Sequence, residues 1–419
     1  MSWLETLHPK EIALGLERVR VVQAQLGLMA PPFTVIVAGG TNGKGSTVAM
    51  LEAIYCSAGY RVGAYSSPHL VRFNERIRVG GVDVPDAEIV RAFEQVERAR
   101  ADVPLTYFEF GTLAAVVLFR DRGVQVAVLE VGLGGRLDAV NAFDADVAIV
   151  TSIGLDHQEY LGHDRESIAR EKAGIFRAGR PALCGDPEPP GAIADAARSV
   201  GAELLQIHEH FGYRDEGDAF SWHYGRQVRA GLPLPAMRGA HQLRNAACAL
   251  LVTELLRSRL PVSVADVRAG LATRLAARFE VRPRPGCADV IFDVAHNGAA
   301  AATLADNLRR MPAAGRTFAL CGILRDKAVE EIGTTLVGCI DEWHVVSLTG
   351  PRGATGVETA ERLRRGGVSG EVSTHPDPAS GFREVERRAR PEDRIVVFGS
   401  FLTVSAILRE PQFLREPSR

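Results

Sequence analysis

The chain has 419 residues, of which 46% are apolar and 24% charged, and its 49 basic and 51 acidic side chains give a net charge of −2. That length is too great for one ordinary core and implies two domains, the composition is that of a globular protein in water, and the balanced charge argues against a polyanion as the main partner. Six scattered cysteines with no C-x-x-C pair argue against a zinc knuckle or a disulfide framework. No apolar run approaches the ~18 residues of a membrane span. The N-terminal stretch MSWLETLHPKEIALGLERV is charged throughout and lacks the apolar centre of a secretory signal, so a cytoplasmic protein is expected, with neither nucleic acid nor membrane as partner.

Residues 3–27 read as a helix, closed by Pro31-Pro32. Phe33 to Ala38 then form an apolar, β-branched run that suits a buried strand. Gly39-Gly40-Thr41-Asn42-Gly43-Lys44-Gly45-Ser46-Thr47 breaks it, and from about Ser46 the apolar spacing turns helical through Val48, Leu51, Ile54 and Tyr55. A strand, a glycine loop and a helix start make a phosphate cradle: glycines let N–H groups turn inward, the helix N-terminus adds partial positive charge, and Lys44 adds a full one. The pattern departs from G-x-x-x-x-G-K-[ST], because Gly45 separates Lys44 from Ser46.

Further along, Arg61 to Tyr65 is a short strand, followed by a non-helical Ser66-Ser67-Pro68-His69-Leu70 loop. Phe73 to Val84 suits a hairpin turning at Gly80-Gly81, and Asp86 to Arg100 an amphipathic helix. Leu105 to Phe110 introduces an apolar helix over Gly111 to Phe119. Gln125 to Val131, Val147 to Thr151 and Pro181 to Cys184 are strands, Ser167 to Phe176 is helical, and residues 204–235 suit short antiparallel strands at a domain edge. Arg238 to Arg257 is a helix. The strand–helix alternation indicates a mainly parallel sheet covered on both faces, with ligands at the C-terminal ends of the strands. FEVRPRPGC, Phe279 to Cys287, is the linker candidate, after which strands at Asp289 to Ala295, Thr317 to Leu320, Trp343 to Val346 and Arg394 to Phe398 restart the pattern. The fold class is therefore α/β. A P-loop-type, mainly parallel domain over 1–282 precedes a smaller Rossmann-like α/β domain over 287–419, with a linker at about 283–286.

Several residues could bear chemistry. Glu130 lies inside an apolar strand, where a carboxylate needs a positive partner; Arg136 or a Mg²⁺ ion beside nucleotide phosphates would serve. His157 follows a strand in Gly154-Leu155-Asp156-His157 and is either a structural loop residue or a ligand. Ser67 before Pro68 reads as a turn residue, and Lys172 as a helix-surface lysine. Asp293, His296 and Asn297 end the first strand of the second domain, as a polar cap or as functional groups.

Seven ordered motifs resemble the folylpolyglutamate synthase/dihydrofolate synthase family, relatives of the Mur ligases: TNGKGS from Thr41, YSSPHL from Tyr65, TYFEF from Thr106, LEVGLGGRLDA from Leu129, TSIGLDH from Thr151, REKAGIF from Arg170 and FDVAHN from Phe292. The resemblance implies ATP-dependent addition of L-glutamate to a pteroate or folate carboxylate by a monomer. It places Thr41, Asn42, Gly43, Lys44, Gly45, Asn245, Arg278 and Asp293 on ATP, and Ser67, Glu130 and His157 on Mg²⁺. Lys172 matches a carboxylated lysine that helps bind a second Mg²⁺, which reverses its surface reading; a neutral amine must take up CO₂, so burial or positive charge has to lower its pKa. Ala13, Leu14, Gly15 and Leu16, with Thr106, Tyr107, Phe108 and Glu109 and with Leu137, Asp138 and Ala139, match the pterin side. Glutamate is expected around His296, Asn297 and the Ser400 loop. The substrates implied are dihydropteroate, tetrahydrofolates and L-glutamate.

The chain also departs from the family pattern. VAGGTNG stands where VAGTNG is usual, LAAR (ending at Arg278) where LPGR is typical, and HNG (from His296) where HNP is typical. None of these removes a phosphate or metal residue. The implied chemistry is attack of a carboxylate on the ATP γ-phosphate, then of the glutamate amine on the acyl phosphate, with Lys44 and Lys172 in the first step and His296 or Asp293 orienting or deprotonating the amine. Exclusion of water from the acyl phosphate calls for domain closure. A Mur-type UDP-muramoyl-peptide ligase and a P-loop switch protein are the alternatives; TYFEF and SSPHL favour the pterin.

Overall fold

The computed structural model describes residues 13–414, which fall into two compact units, one of residues up to 236 with 241–273 and one of residues 237–240 with 274 onward. The first begins with α1 (Glu17–Gln25). This is shorter than the helix expected over 3–27: residues 3–12 lie outside the described residues and 13–16 are not helical. Gly15, at φ +148°, blocks extension at one end and Gly27, at φ +67°, turns the chain at the other.

The unit then runs β1 (Thr34–Gly39), α2 (Lys44–Ser57), β2 (Val62–Tyr65), β3 (Ile77–Val79), β4 (Val82–Asp83), α3 (Asp86–Arg100), α4 (Tyr107–Asp121), β5 (Val126–Glu130), β6 (Val147–Val150), α5 (Gln158–Leu161), α6 (Arg165–Ala173), β7 (Pro181–Cys184), α7 (Gly191–Val200) and β8 (Glu203–Gln206). The sheet order is β4-β3-β2-β5-β1-β6-β7-β8. All pairs from β2 to β8 are parallel, and β3 and β4 add an antiparallel edge. Alternate residues Val35 and Val37, Ala127 and Leu129, and Ala148 and Val150 belong to one apolar cluster with α1, α3, α4 and α6. The intervening Ile36, Ala38 and Val128 are fully buried as well, so both faces are covered and the central strands read as unbroken apolar runs.

α4 starts four residues before the Gly111 expected from its apolar pattern. Thr106 and Glu109 form a reciprocal cap, in which the Thr106 N–H donates to Glu109 Oε2 (2.7 Å) and the Glu109 N–H donates to the Thr106 hydroxyl (3.3 Å). The Phe73 to Val84 hairpin opens with a 3₁₀ turn, Phe73–Arg76, and turns at Gly80-Gly81. Of residues 204–235, the first stretch is β8 of the large sheet; β9 (Phe211–Asp215), β10 (Ala219–Tyr224) and β11 (Gln227–Pro233) form a separate antiparallel sheet. α8 (His241–Leu255) and α9 (Val264–Leu271) complete the unit.

The second unit contains β12 (Glu280–Arg282), β13 (Asp289–Phe292), α10 (Gly298–Arg310), β14 (Thr317–Cys321), α11 (Val329–Leu336), β15 (Glu342–Val346), α12 (Gly356–Arg365), β16 (Glu371–His375), α13 (Pro378–Arg388), β17 (Arg394–Phe398), α14 (Phe401–Leu408) and α15 (Pro411–Leu414). Its sheet order is β12-β13-β17-β14-β15-β16, parallel except for β12 against β13. The linker expected at 283–286 is a correction: Glu280 to Arg282 already pair with β13, and 283–286 lie in the turn between these two strands, inside the second unit. Pro283, Pro285 and Gly286 mark a turn and not a boundary.

One strand of this unit buries charge. On β15, Trp343 and Val345 join the core, while Glu342 and His344, which alternate with them, are fully buried. Glu342 pairs with Arg316 and Arg388, both at 2.9 Å. His344 Nε2 lies 2.9 Å from Glu342 Oε1, and its Nδ1 lies 2.9 Å from His375 Nε2. Burial lowers the His344 pKa below its ordinary 6.5 against the opposing pull of Glu342, and the charges of Arg388 and Glu384 act in opposite senses. A depressed pKa means that stability is full above about 6.5 and is lost as pH falls through the folded value. The urea midpoint of the second unit, followed by Trp343 fluorescence, is therefore expected to fall between about pH 7 and about pH 5. A flat midpoint over that range contradicts this.

Candidate active site

β1 is hydrogen-bonded to β5 on one side and β6 on the other, so the loops after all three leave the same end of the sheet. The loop after β1 is fixed to the segment after β6. Thr41 N–H donates to Ser152 O (2.8 Å), Asn42 N–H to Ser152 Oγ (3.0 Å) and Thr151 Oγ1 to Asn42 O (2.7 Å). Thr41 Oγ1 accepts from Gly154 N–H at 3.0 Å. Of the two consecutive glycines, Gly39 is the last paired residue of β1 and only Gly40 makes the turn, at φ +141°. Gly43 sits at φ +92°, where an added Cβ would lie 2.5 Å from Asn245 Oδ1. The expected ATP residue Asn245 therefore stands against the loop, held by Gln242, which also reaches Ser46 (3.3 Å). Lys44 curls over its own loop, donating to Gly40 O (2.9 Å) and Thr41 O (3.2 Å).

Glu130 ends β5 in register with Ala38 and is buried. Its Oε2 accepts from the Ser67 N–H at 3.3 Å, which brings two of the expected metal residues together. Arg136, the alternative partner, pairs with Glu171 at 2.8 Å. The Ser67 loop is braced by groups the sequence reading missed: Arg78 holds Glu52 of α2 (2.8 Å) and donates to Ser66 Oγ (3.1 Å) and Glu75 O (2.7 Å). Glu75 in turn accepts from the N–H groups of Leu70, Val71 and Arg72. A buried acid at Glu52 amid an apolar helix was the available signal, the same one that singled out Glu130. His157 lies three residues beyond Gly154, at φ +50°, and precedes α5.

Lys172 is not a surface residue. It is 4% exposed on α6, and burial together with the charge of Lys44 lowers its pKa to about 7, against the pull of Asp156 and Asp138. The helix fits closely because Gly135 has no side chain; a Cβ there would meet Lys172 O at 2.7 Å. Asp138 is buried and its pKa is raised to about 7 by desolvation, opposed by N–H groups and by Lys44. Its carboxyl accepts from Leu133 N–H (2.8 Å) and Val140 N–H (3.0 Å).

The three expected pterin segments are joined. Gly15 N–H reaches Leu137 O (3.4 Å), and Arg18 donates to Ala13 O (2.7 Å) and pairs with Glu109 (2.8 Å). Phe108 stands over Gly132, where a Cβ would come within 2.6 Å of its ring.

In the second unit, Asp293 accepts from Ala295 N–H (2.8 Å) and Phe279 N–H (2.9 Å), and burial raises its pKa against the Arg278 and His296 charges. His296 Nδ1 lies 2.7 Å from Val294 O, so it carries the proton and a neutral ring has its acceptor at Nε2. Phe401 links this group to the Ser400 loop: its ring lies 6.5 Å from that of His296 and 5.5 Å from the Arg278 guanidinium carbon. Asn297 and Ser400 cap α10 and α14.

Residues 38–184 match the Mur ligase middle domain and residues 277–401 the Mur ligase glutamate ligase domain. The dihydrofolate synthase/folylpolyglutamate synthase of Escherichia coli (strain K12) is 45% identical over 414 residues, covering 97% of this chain and 94% of that protein. The chain belongs to the dihydrofolate synthase/folylpolyglutamate synthase family. The structure of E. coli FolC in complex with DHPP and ADP is similar at a TM-score of 0.91 and 44% identity, covering 97% of this chain and 95% of that one. A bifunctional folylpolyglutamate synthase/dihydrofolate synthase with Mn, AMPPNP and L-glutamate bound matches at a TM-score of 0.89 and 43% identity, covering 97% and 96%. Like its family, the chain is an ATP-dependent amide-forming ligase.

The phosphate loop yields a direct test. Gly43→Ala combines a left-handed backbone with a collision at Asn245, so calorimetric affinity for ADP should fall about tenfold or more, with the thermal midpoint moving by only a few degrees. Unchanged affinity would show that this loop is not the phosphate site.

Proposed function

We propose that the protein joins L-glutamate to dihydropteroate and to reduced folates, using ATP and an acyl-phosphate intermediate. The observation that supports this most directly is the pairing, in one unit, of a glycine loop containing Lys44 with the joined segments Ala13 to Leu16, Thr106 to Glu109 and Leu137 to Ala139. A UDP-muramoyl-peptide ligase needs the first and not the second.

The loop N–H groups and Lys44 hold the ATP phosphates and offset the charge that builds on the phosphoryl oxygens as the substrate carboxylate attacks. Asp138, with a carboxyl poised near neutrality, suits the donor and acceptor edge of a pterin. Arg278 and Asp293 are assigned to ATP. His296 orients the incoming amine, and its Nε2 is the atom suited to accept the amine proton. The N-termini of α10 and α14, beside the His296 group, suit the carboxylates of glutamate.

The donor set fits magnesium. Ser67 hydroxyl and Glu130 carboxylate are the hard oxygen donors that magnesium takes, and His157 imidazole adds a borderline nitrogen beside them. Among the described residues no three His, Cys, Asp or Glu side chains stand together as a metal cluster, which suits an ion completed by phosphate oxygens and water. A bound Mg²⁺ would neutralise phosphate charge. A second ion would be held through Lys172 as its carbamate, a modification that a pKa near 7 makes accessible. We assign the protein to the cytoplasm as a monomer; no helix among the described residues is long and apolar enough to cross a membrane.

Two measurements test this reading. With ATP present, sustained ADP release should require glutamate together with dihydropteroate or tetrahydrofolate, and a UDP-muramoyl peptide should support none; sustained ADP release with neither pteroate nor glutamate present would refute the scheme. Protein equilibrated with ¹³C-bicarbonate at about pH 8 should show one carbamate carbon resonance that is lost in Lys172→Arg. A spectrum lacking that resonance would remove the carbamate from the site.

A further inference from the structure

We propose that Arg18 and Glu109 form a latch that sets the position of the pterin-binding segments, and that Glu109 acts through Arg18 and Thr106 and not by contact with substrate. Arg18 Nη2 donates to Ala13 O at 2.7 Å and to Glu109 Oε1 at 2.8 Å, and its Nε donates to Glu109 Oε2 at 3.3 Å. Glu109 Oε2 also accepts from the Thr106 N–H at 2.7 Å. Three of the roughly four acceptor positions of this carboxylate are thus filled from inside the protein. The Glu109 side chain is 4% exposed, whereas that of Arg18 is 25% exposed.

The consequence is mechanical. The segment Ala13 to Leu16 has no helix or strand; among the described residues its backbone is tied by the Arg18 donation to Ala13 O, by the long Gly15–Leu137 bond (3.4 Å) and, at its last residue, by the Arg20 N–H donation to Leu16 O (2.9 Å). The first turn of α4, by contrast, is fixed by its cap and by a buried helix behind it. A planar guanidinium gripping a carboxylate with two nitrogens transmits that fixed position to the loose segment. Lysine, a point charge, can keep the ion pair but not the fork and the carbonyl bond together.

This inference deepens the folate reading and rests on it for its kinetic arm. Arg18→Met should raise the KM for dihydropteroate about tenfold while the KM for ATP stays within about twofold, and Arg18→Lys should recover part of the loss. Arg18→Met leaves a buried carboxylate without its cation and is destabilising for that reason alone, so Glu109→Gln and Arg18→Met/Glu109→Gln, which removes both charges, are measured beside it. The latch predicts that this double variant is no worse than the worse single one, because both break the same unit. An unchanged KM in Arg18→Met overturns the proposal. So does a double variant whose loss is the product of the two single losses, since Glu109 would then act on substrate directly. Amide hydrogen exchange separates the latch from the folate reading. Exchange at Gly15 and Leu16 should be at least about tenfold faster in Arg18→Met, and equal exchange overturns the latch. A wild-type protein that turns over no pteroate refutes the folate reading and leaves the exchange result to decide the latch.

Discussion

Parallel pairing of β1 with β5 and β6 is the constraint from which the first unit's site follows. It sends the phosphate loop, the segment after Glu130 and the segment from Thr151 to His157 out of one end of the sheet. Had either neighbour run antiparallel, its loop would have opened at the far end, more than a strand length away. The pairing also explains why the phosphate loop needs few internal bonds. Its shape is imposed by the Thr151 to Gly154 segment, whose backbone takes up the polar groups of Thr41 and whose Thr151 and Ser152 hydroxyls take up those of Asn42. A loop held from outside can leave its remaining N–H groups directed at a ligand.

Charge is concentrated behind this scaffold in a way that no single residue would tolerate. Lys172 and Asp138 are both buried, and both are driven toward their neutral forms near pH 7, the lysine downward and the acid upward. Burial is the main cause of both shifts, and Lys44 acts on each: its charge adds to the lowering at Lys172 and opposes the rise at Asp138. One lysine thus bears on two groups, Lys172 on α6 and Asp138 after the glycine loop, on top of the burial that dominates both. Glu130 remains in register with β1 and close enough to Arg78 to raise that guanidinium's pKa, so this buried acid is not left to desolvation alone.

The parts of this arrangement legible in the sequence were those with a strong local signal. The apolar run into a glycine loop, the lone acid in β5 and the alternation of strands and helices each reported a buried environment directly. Lys172 was misread on spacing because its helix is packed down against Gly135, thirty-seven residues away in sequence, and no periodicity reports such a contact. The boundary at 283–286 was misread for a related reason: proline and glycine mark a change of direction, and only pairing of β12 with β13 shows that the chain had already entered the second sheet. The helix expected over 3–27 failed at Gly15, whose backbone interrupts an otherwise continuous apolar pattern.

The departures from the family pattern in the second unit show how function constrains backbone even where side chains change. Ala277 and Phe279 both adopt left-handed backbone, at φ +55° and +49°, on either side of Arg278. Alanine stands where the resembling family has glycine, and an L side chain there costs about 1–2 kcal/mol. The conformation survives because its neighbours determine it from several sides: Ala277 N–H donates to Glu280, Ala277 O accepts from Val294 N–H, and Phe279 N–H donates to Asp293. Those bonds aim Arg278 and seat Asp293 in the same stroke, so relaxing the strain would cost both. At Gly298 the opposite holds. A Cβ there would come 1.8 Å from a Glu331 carboxylate oxygen, the flexible end of an exposed side chain, so proline at this position would need only that carboxylate to swing aside. One substitution is held by a rigid surround and the other faces only a movable side chain, and both leave the backbone that presents His296 and Asn297 where α10 begins.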